Sequence, residues 1–265
     1  MKYLLTYHLF ESFTHLGSKT ITEEEFDQLQ KKHCKNWTRA KTSLYRGQPY
    51  KIHGDYAYFD PKQGQGRTSI EPVNLHIELL SNLPSWKDYP KYSHCVVGVS
   101  GADPTAVGYG HCYEVVPFDG IKIAISPESD IWNSFANEED GWGGDIDMVR
   151  NFLDSLDIDS DFWDQFGGGT IETKLKDIES LPNISDSPDM KLPIEYDILK
   201  GVSKFTGKEF NKITGRDCFD FINNYLFNPQ ERGFQVVNYE PGFEVPKNKQ
   251  IWTEGPVLLI SKHLV

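Results

Sequence analysis

Between residues 94 and 126 three short apolar runs follow one another: 94–100 (His-Cys-Val-Val-Gly-Val-Ser), 112–117 (Cys-Tyr-Glu-Val-Val-Pro) and 121–126 (Ile-Lys-Ile-Ala-Ile-Ser). Each is too short for a stable helix and is rich in β-branched residues, so each reads as a strand. The turn Phe118-Asp119-Gly120 between the last two predicts a hairpin. Any fold for this chain is therefore built around a sheet. Near the end, 234–239 and 251–260 are strand-like again and are expected to rejoin it.

Helical signals surround these runs. Thr22-Glu23-Glu24-Glu25 is a capping box opening a helix with Phe26, Leu29 and Gln30 on one face ahead of Trp37. A second helix is predicted from about Pro72 through Leu83, with Val73, Ile77 and Leu80 at helical spacing and Pro84 as its stop. From about residue 132 to 227 the chain turns acidic and helical in period. After Gly141-Trp142-Gly143-Gly144-Asp145, an amphipathic run sets Ile146, Val149, Phe152, Leu153 and Leu156 on one side, while Gly167-Gly168-Gly169 and 182–188 read as loops. We expect one domain over 1–265 carrying a helical insertion at about 132–227.

Composition narrows the function classes. A chain of 265 residues with 38% hydrophobic content is long enough to fill a core. A formal charge of −12 and a pI near 5.1 argue against nucleic acid as the main partner. The first eight residues are too polar for a signal segment, and no run reaches about 18 apolar residues. The expectation is a soluble, cytoplasmic protein with no membrane partner. Cys34, Cys95, Cys112 and Cys218 lack metal-ligand spacing and are expected to be reduced core thiols.

The residues with chemical potential are scattered. Ser43-Leu44-Tyr45-Arg46-Gly47 reads as a strand delivering Arg46 to the rim of a cleft, while Ser100 ends the 94–100 run and Glu254 lies within the 251–260 run. Each also has a plain reading: a surface ion-pair partner, a turn residue, a solvated carboxylate. Arg67, Ser69 and Asn74 lie just ahead of and within the second predicted helix, where they face a ligand or, in the case of Ser69, cap the helix. Tyr45 and Trp252 either stack on an aromatic ligand or fill the core.

The ordered set Arg46, Ser100, Glu254 resembles the Arg-Ser-Glu arrangement of the mono-ADP-ribosyltransferases. Gly98-Val99-Ser100 stands where that family has Ser-Thr-Ser, and Trp252-Thr253-Glu254 where it has Glu-x-Glu. In this alignment 104–109 takes the place of a small helix after the second strand, and 113–117 that of the next strand. The resemblance implies an α+β fold with a split, mostly antiparallel β-sheet core, N-terminal helices and the helical insertion. It also implies NAD as substrate, no metal, and transfer of ADP-ribose to a macromolecular acceptor, protein before nucleic acid, or hydrolysis of NAD. Cleaving the nicotinamide bond develops positive charge on the ribose, which a carboxylate stabilises. Glu254 takes that role by resemblance, while Arg46, flanked by Tyr45 and Gly47, clamps a phosphate or ribose and Ser100 holds the nicotinamide side. Arg67, Ser69, Asn74 and Trp252 complete the expected NAD contacts.

Two other classes remain open. Arg216-Asp217-Cys218-Phe219-Asp220-Phe221 puts a cysteine near a predicted helix start, similar to the nucleophile site of the NlpC/P60 cysteine peptidases, with His263 as the downstream histidine. The plain alternative there is a buried helix cysteine. The third class is a catalytically inactive, transferase-like binding protein that holds a partner through its acidic insertion.

Overall fold

The strands at 94–126 do join one sheet, two of them near its centre and the third next to an edge, with neighbours drawn from distant parts of the chain. The computed structural model describes residues 18–37, 43–48, 51–64, 73–101, 110–135, 144–155, 176, 179–180 and 195–262. Among them nine strands form one sheet: β1 (Ser18–Ile21), β2 (Leu44–Gln48), β3 (Tyr56–Phe59), β4 (Val96–Ser100), β5 (His111–Pro117), β6 (Lys122–Ile125), β7 (Gln235–Asn238), β8 (Gln250–Thr253) and β9 (Val257–Lys262). Their order is β1-β3-β9-β5-β2-β4-β8-β6-β7, and the pairs are antiparallel throughout. With helices α1 (Glu23–His33), α2 (Val73–Asn82), α3 (Gly144–Ser155), α4 (Glu195–Thr206) and α5 (Gly215–Phe221), the protein is α+β.

The sheet is continuous where a split one was expected, yet two of its junctions are short: β6 meets β8 only at Ala124↔Trp252 and Ile125↔Ile251, and the β2–β4 junction is as brief. β2 meets β4 only at Leu44↔Ser100 and Tyr45↔Val99, while on its other side β2 follows β5 along its whole length, to Gln48↔His111.

The expected β5–β6 hairpin is not formed. β5 lies between β2 and β9, and β6 between β7 and β8. The turn residues explain it, because each is engaged elsewhere. The Asp119 carboxylate accepts from the backbone N–H groups of Lys35 (2.6 Å) and Asn36 (2.9 Å), just past the end of α1. Gly120, at a φ of +81° that suits glycine, donates its N–H to the Tyr239 carbonyl (2.8 Å). The chain is thus turned away from β5 toward β7.

Both faces of the sheet are covered, as strand alternation requires. Leu44, Tyr113, Val115, Ile251, Val257 and Leu259 belong to one cluster, with Tyr239 and Val245. Val116 and Leu258 point the other way and pack with Phe26 of α1 and Cys34. The capping box that starts α1 is formed on both sides: Thr22 Oγ1 accepts from Glu25 N–H (3.2 Å), and Glu25 accepts from Thr22 N–H (2.8 Å).

Glu114 on β5 is a buried carboxylate that ties four segments together. It accepts from Trp37 Nε1 (3.1 Å) and Ser43 Oγ (2.7 Å) and pairs with Lys262 Nζ (2.9 Å). Burial alone would raise its pKa, but those hydrogen bonds and the Lys262 charge together hold the carboxyl below the usual value. A depressed carboxylate contributes stability above its unfolded pKa, about 4.3, and loses it as pH falls through the lower folded value. Glu114→Gln is expected to cost about 2–3 kcal/mol at neutral pH, because three donors lose a charged acceptor. Urea unfolding at pH 7 and pH 3.5 checks this: the variant should lose less between the two than the wild type, and equal losses would contradict the assignment.

The chain divides into two compact units: Met1–Val73 with Asp88–Ile131 and Phe234–Val265, and Asn74–Lys87 with Trp132–Gly233. The first contains the sheet and α1. The second is helical, with Ile77, Leu80, Phe135, Val149, Phe152, Ile198 and Val202 buried. In it α4 packs closely on α5: a Cβ added at Gly201 would stand 2.5 Å from the Phe221 ring. No helix among the described residues is long and apolar enough to cross a membrane.

Candidate functional site

β2, β4 and β8 are consecutive neighbours, so the carriers of Arg46, Ser100 and Glu254 lie side by side although far apart in sequence. Their side chains differ sharply in what they do.

Arg46 is not at a rim; it is 5% exposed. Past Tyr45↔Val99 the β2–β4 ladder stops, and the Arg46 guanidinium donates to the Val97 carbonyl (2.9 Å) beyond that point. It also lies near the Cys95 thiol and the Tyr92 phenol. Burial pulls the guanidinium down to about 10, opposed by those two neighbours, so it stays charged at neutral pH. A buried charge is tolerated where hydrogen bonds replace water, which makes Arg46 a brace across the short β2–β4 junction.

Ser100 is fully buried. Its hydroxyl donates to the Pro246 carbonyl and accepts from the Lys249 N–H (2.9 Å), while its backbone N–H donates to the Lys249 carbonyl (2.9 Å) and its carbonyl accepts from Asn248 N–H (2.9 Å). Ser100 thereby clamps the loop that leads into β8. Asn248 in that loop has a φ of 56°, a left-handed conformation that asparagine tolerates better than most residues.

Trp252 is a core residue at 1% exposure, not a stacking platform. Its Nε1 donates to the Pro90 carbonyl (3.0 Å), and its ring meets Tyr92 and Phe234 edge-on. Tyr45 is half-buried opposite Val99 and Glu114, and Gly47 is half-buried opposite Cys112. Arg67 and Ser69 lie outside the described residues, as do 104–109 and His263; of Asn74 only the backbone, in α2, is described.

Glu254 contrasts with all of these. It follows β8 directly, is half-buried, and carries no hydrogen bond or ion pair among the described residues. One step past Val96↔Thr253 it comes level with Cys95, the thiol near the Arg46 guanidinium. By strand counting, with about 4.8 Å between strands and about 3.3 Å per residue, the Arg46 and Glu254 Cα atoms are roughly 14 Å apart. That is too far for an intimate ion pair, so any influence of Arg46 on Glu254 runs through β4. Cys95 and Tyr92, which neighbour Arg46, had no motif to single them out in sequence.

Cys218 is buried at the first turn of α5, behind a complete capping box in which Thr214 and Asp217 bond each other's N–H groups. Burial, aided by the Asp217 charge, pushes its thiol up to about 12. Nucleophilic cysteines need the opposite shift. Native-state alkylation by iodoacetamide should be at least about a thousandfold slower than that of an exposed thiol, since some three pH units separate it from the ordinary value of 9.0. Fast labelling at Cys218 followed by mass spectrometry would revive the hydrolase reading. Among the described residues no group of three or more His, Cys, Asp or Glu is placed to hold a metal ion. Compared with family models, curated proteins and solved structures, the chain matches none.

Proposed function

We propose that this protein cleaves NAD at the nicotinamide bond, with Glu254 as the catalytic carboxylate, and passes ADP-ribose to a macromolecular acceptor or to water. One observation carries the reading: Arg46, Ser100 and Trp252 are committed to backbone groups on and beside β4 and β8, while Glu254, directly after β8, has no hydrogen bond or ion pair among the described residues. Such a carboxylate, half-shielded and without a partner among the described residues, suits the stabilisation of an oxocarbenium-like ribose. In this reading Arg46, Ser100 and Trp252 are positioning residues, and contact with NAD falls to Glu254 and to groups around it.

A second reading has its own support. Arg46 and Ser100 are buried and already hydrogen-bonded, which favours a binding protein without turnover. NAD labelled on its adenine side, incubated with the protein with and without a cell lysate, separates the two. Label on a lysate macromolecule means transfer, free ADP-ribose means hydrolysis, and retention of intact NAD means binding alone. With neither cleavage nor binding, the proposal fails.

A further inference from the structure

We propose that Thr253 and Gly255 are positioning residues for Glu254, and that the β8–β9 turn is a seat that holds its carboxylate in one place; as a catalytic claim this rests on the NAD-cleavage reading. The turn is gripped on each side of Glu254. Before it, Thr253, 3% exposed, donates its hydroxyl to the Lys122 carbonyl (2.8 Å) and accepts from the Gly255 N–H (3.0 Å). After it, Gly255 lies flat on Ile121: an added Cβ would stand 2.7 Å from Ile121 Cβ and Cγ2 and 2.9 Å from its Cδ1. Of these, Cβ cannot move by a rotamer change. Pro256 then accepts at its carbonyl from the Phe118 N–H (3.3 Å).

The 118–122 connection, released from β5 as described above, is therefore the surface on which the turn rests. Between two anchored residues Glu254 has few backbone conformations, and its carboxylate is the one ionisable group of 253–256. The Gly-Pro pair that follows Glu254 serves a steric purpose here: glycine allows contact with Ile121, and proline removes a donor and fixes φ. Catalytic groups work when their geometry is held before the substrate arrives, and a displacement of about 1 Å can cost up to about a hundredfold in rate.

The test is a steric double-mutant cycle with a readout independent of turnover. The side-chain carboxyl of Glu254 is labelled with ¹³C and its resonance assigned by loss in Glu254→Gln. Gly255→Ala should shift or broaden that resonance and lower kcat for nicotinamide release by about tenfold or more, with KM within about twofold. Gly255→Ala combined with Ile121→Gly, which removes Cβ together with the rest of the side chain and so makes room for the methyl, should restore both. If Gly255→Ala does not fold, Thr253→Val removes both hydroxyl bonds at constant volume and should act likewise, with Thr253→Ser restoring the wild-type signal. An unchanged resonance in folded Gly255→Ala or Thr253→Val overturns the proposal whether or not NAD is cleaved. A resonance that responds and is rescued, in a protein that does not cleave NAD, upholds the seat and removes the function assigned to it.

Discussion

Arg46→Ala is expected to lower the stability of the protein by about 3–4 kcal/mol, the largest effect of any single substitution considered for the sheet. The reason is local. β2 and β4 share only two register pairs, and the guanidinium takes the Val97 carbonyl past the second of them. Truncation leaves that buried carbonyl without this donor and opens a cavity the length of an arginine stem. Arg46→Lys keeps the charge and most of the stem, but replaces a planar fork with a single strongly hydrated ammonium in a site that is 5% exposed. It should therefore recover less than half of the loss. Urea midpoints at pH 7 measure both, and an Arg46→Ala protein within about 0.5 kcal/mol of wild type would show that the brace is not needed.

Glu254→Gln should behave in the opposite manner, leaving stability within about 0.5 kcal/mol and removing activity. The carboxylate has no hydrogen bond or ion pair among the described residues, so folding gains little from its charge. A glutamine keeps the shape but cannot offset the positive charge that the proposed cleavage would develop on the ribose. The expected loss in kcat is at least about a hundredfold, in the range seen when one preorganised electrostatic group is deleted, with NAD affinity changed by less than about threefold. A variant that loses affinity and rate equally would mark Glu254 as a substrate-binding group.

These contrasting expectations show what can be read from the residues alone. The α1 capping box, the extents of β4 and β5 to within two residues, and a sheet rejoined by the last segment were all legible, because they depend on neighbours in sequence. The placement of β5 away from β6 was not, because it depends on Asp119 finding two N–H groups at the end of α1. The burial of Arg46 and Ser100 escaped for a related reason, whereas core filling by Trp252 was one of its two readings. Alternation tells which residues share a face, but here both faces are covered, so a polar residue on a strand is not thereby at the surface. The Gly-Pro after Glu254 gains a role only from Ile121 beneath it.

The candidate site accordingly shifts its weight. Sequence order singled out Arg46, Ser100 and Glu254 as one set; their surroundings separate two residues bonded to neighbouring backbone from one whose carboxylate has no hydrogen bond or ion pair among the described residues. The same distinction bears on the aromatic residues, since Trp252 is locked to Pro90 while Tyr45 remains half-exposed.

Release of nicotinamide from NAD by the purified protein, set beside Glu254→Gln at equal concentration and equal melting temperature, tests the central claim most directly. The account predicts steady release by the wild type and at least about a hundredfold less by the variant. Equal release by both, or none from a wild type that also fails to bind NAD, would contradict it.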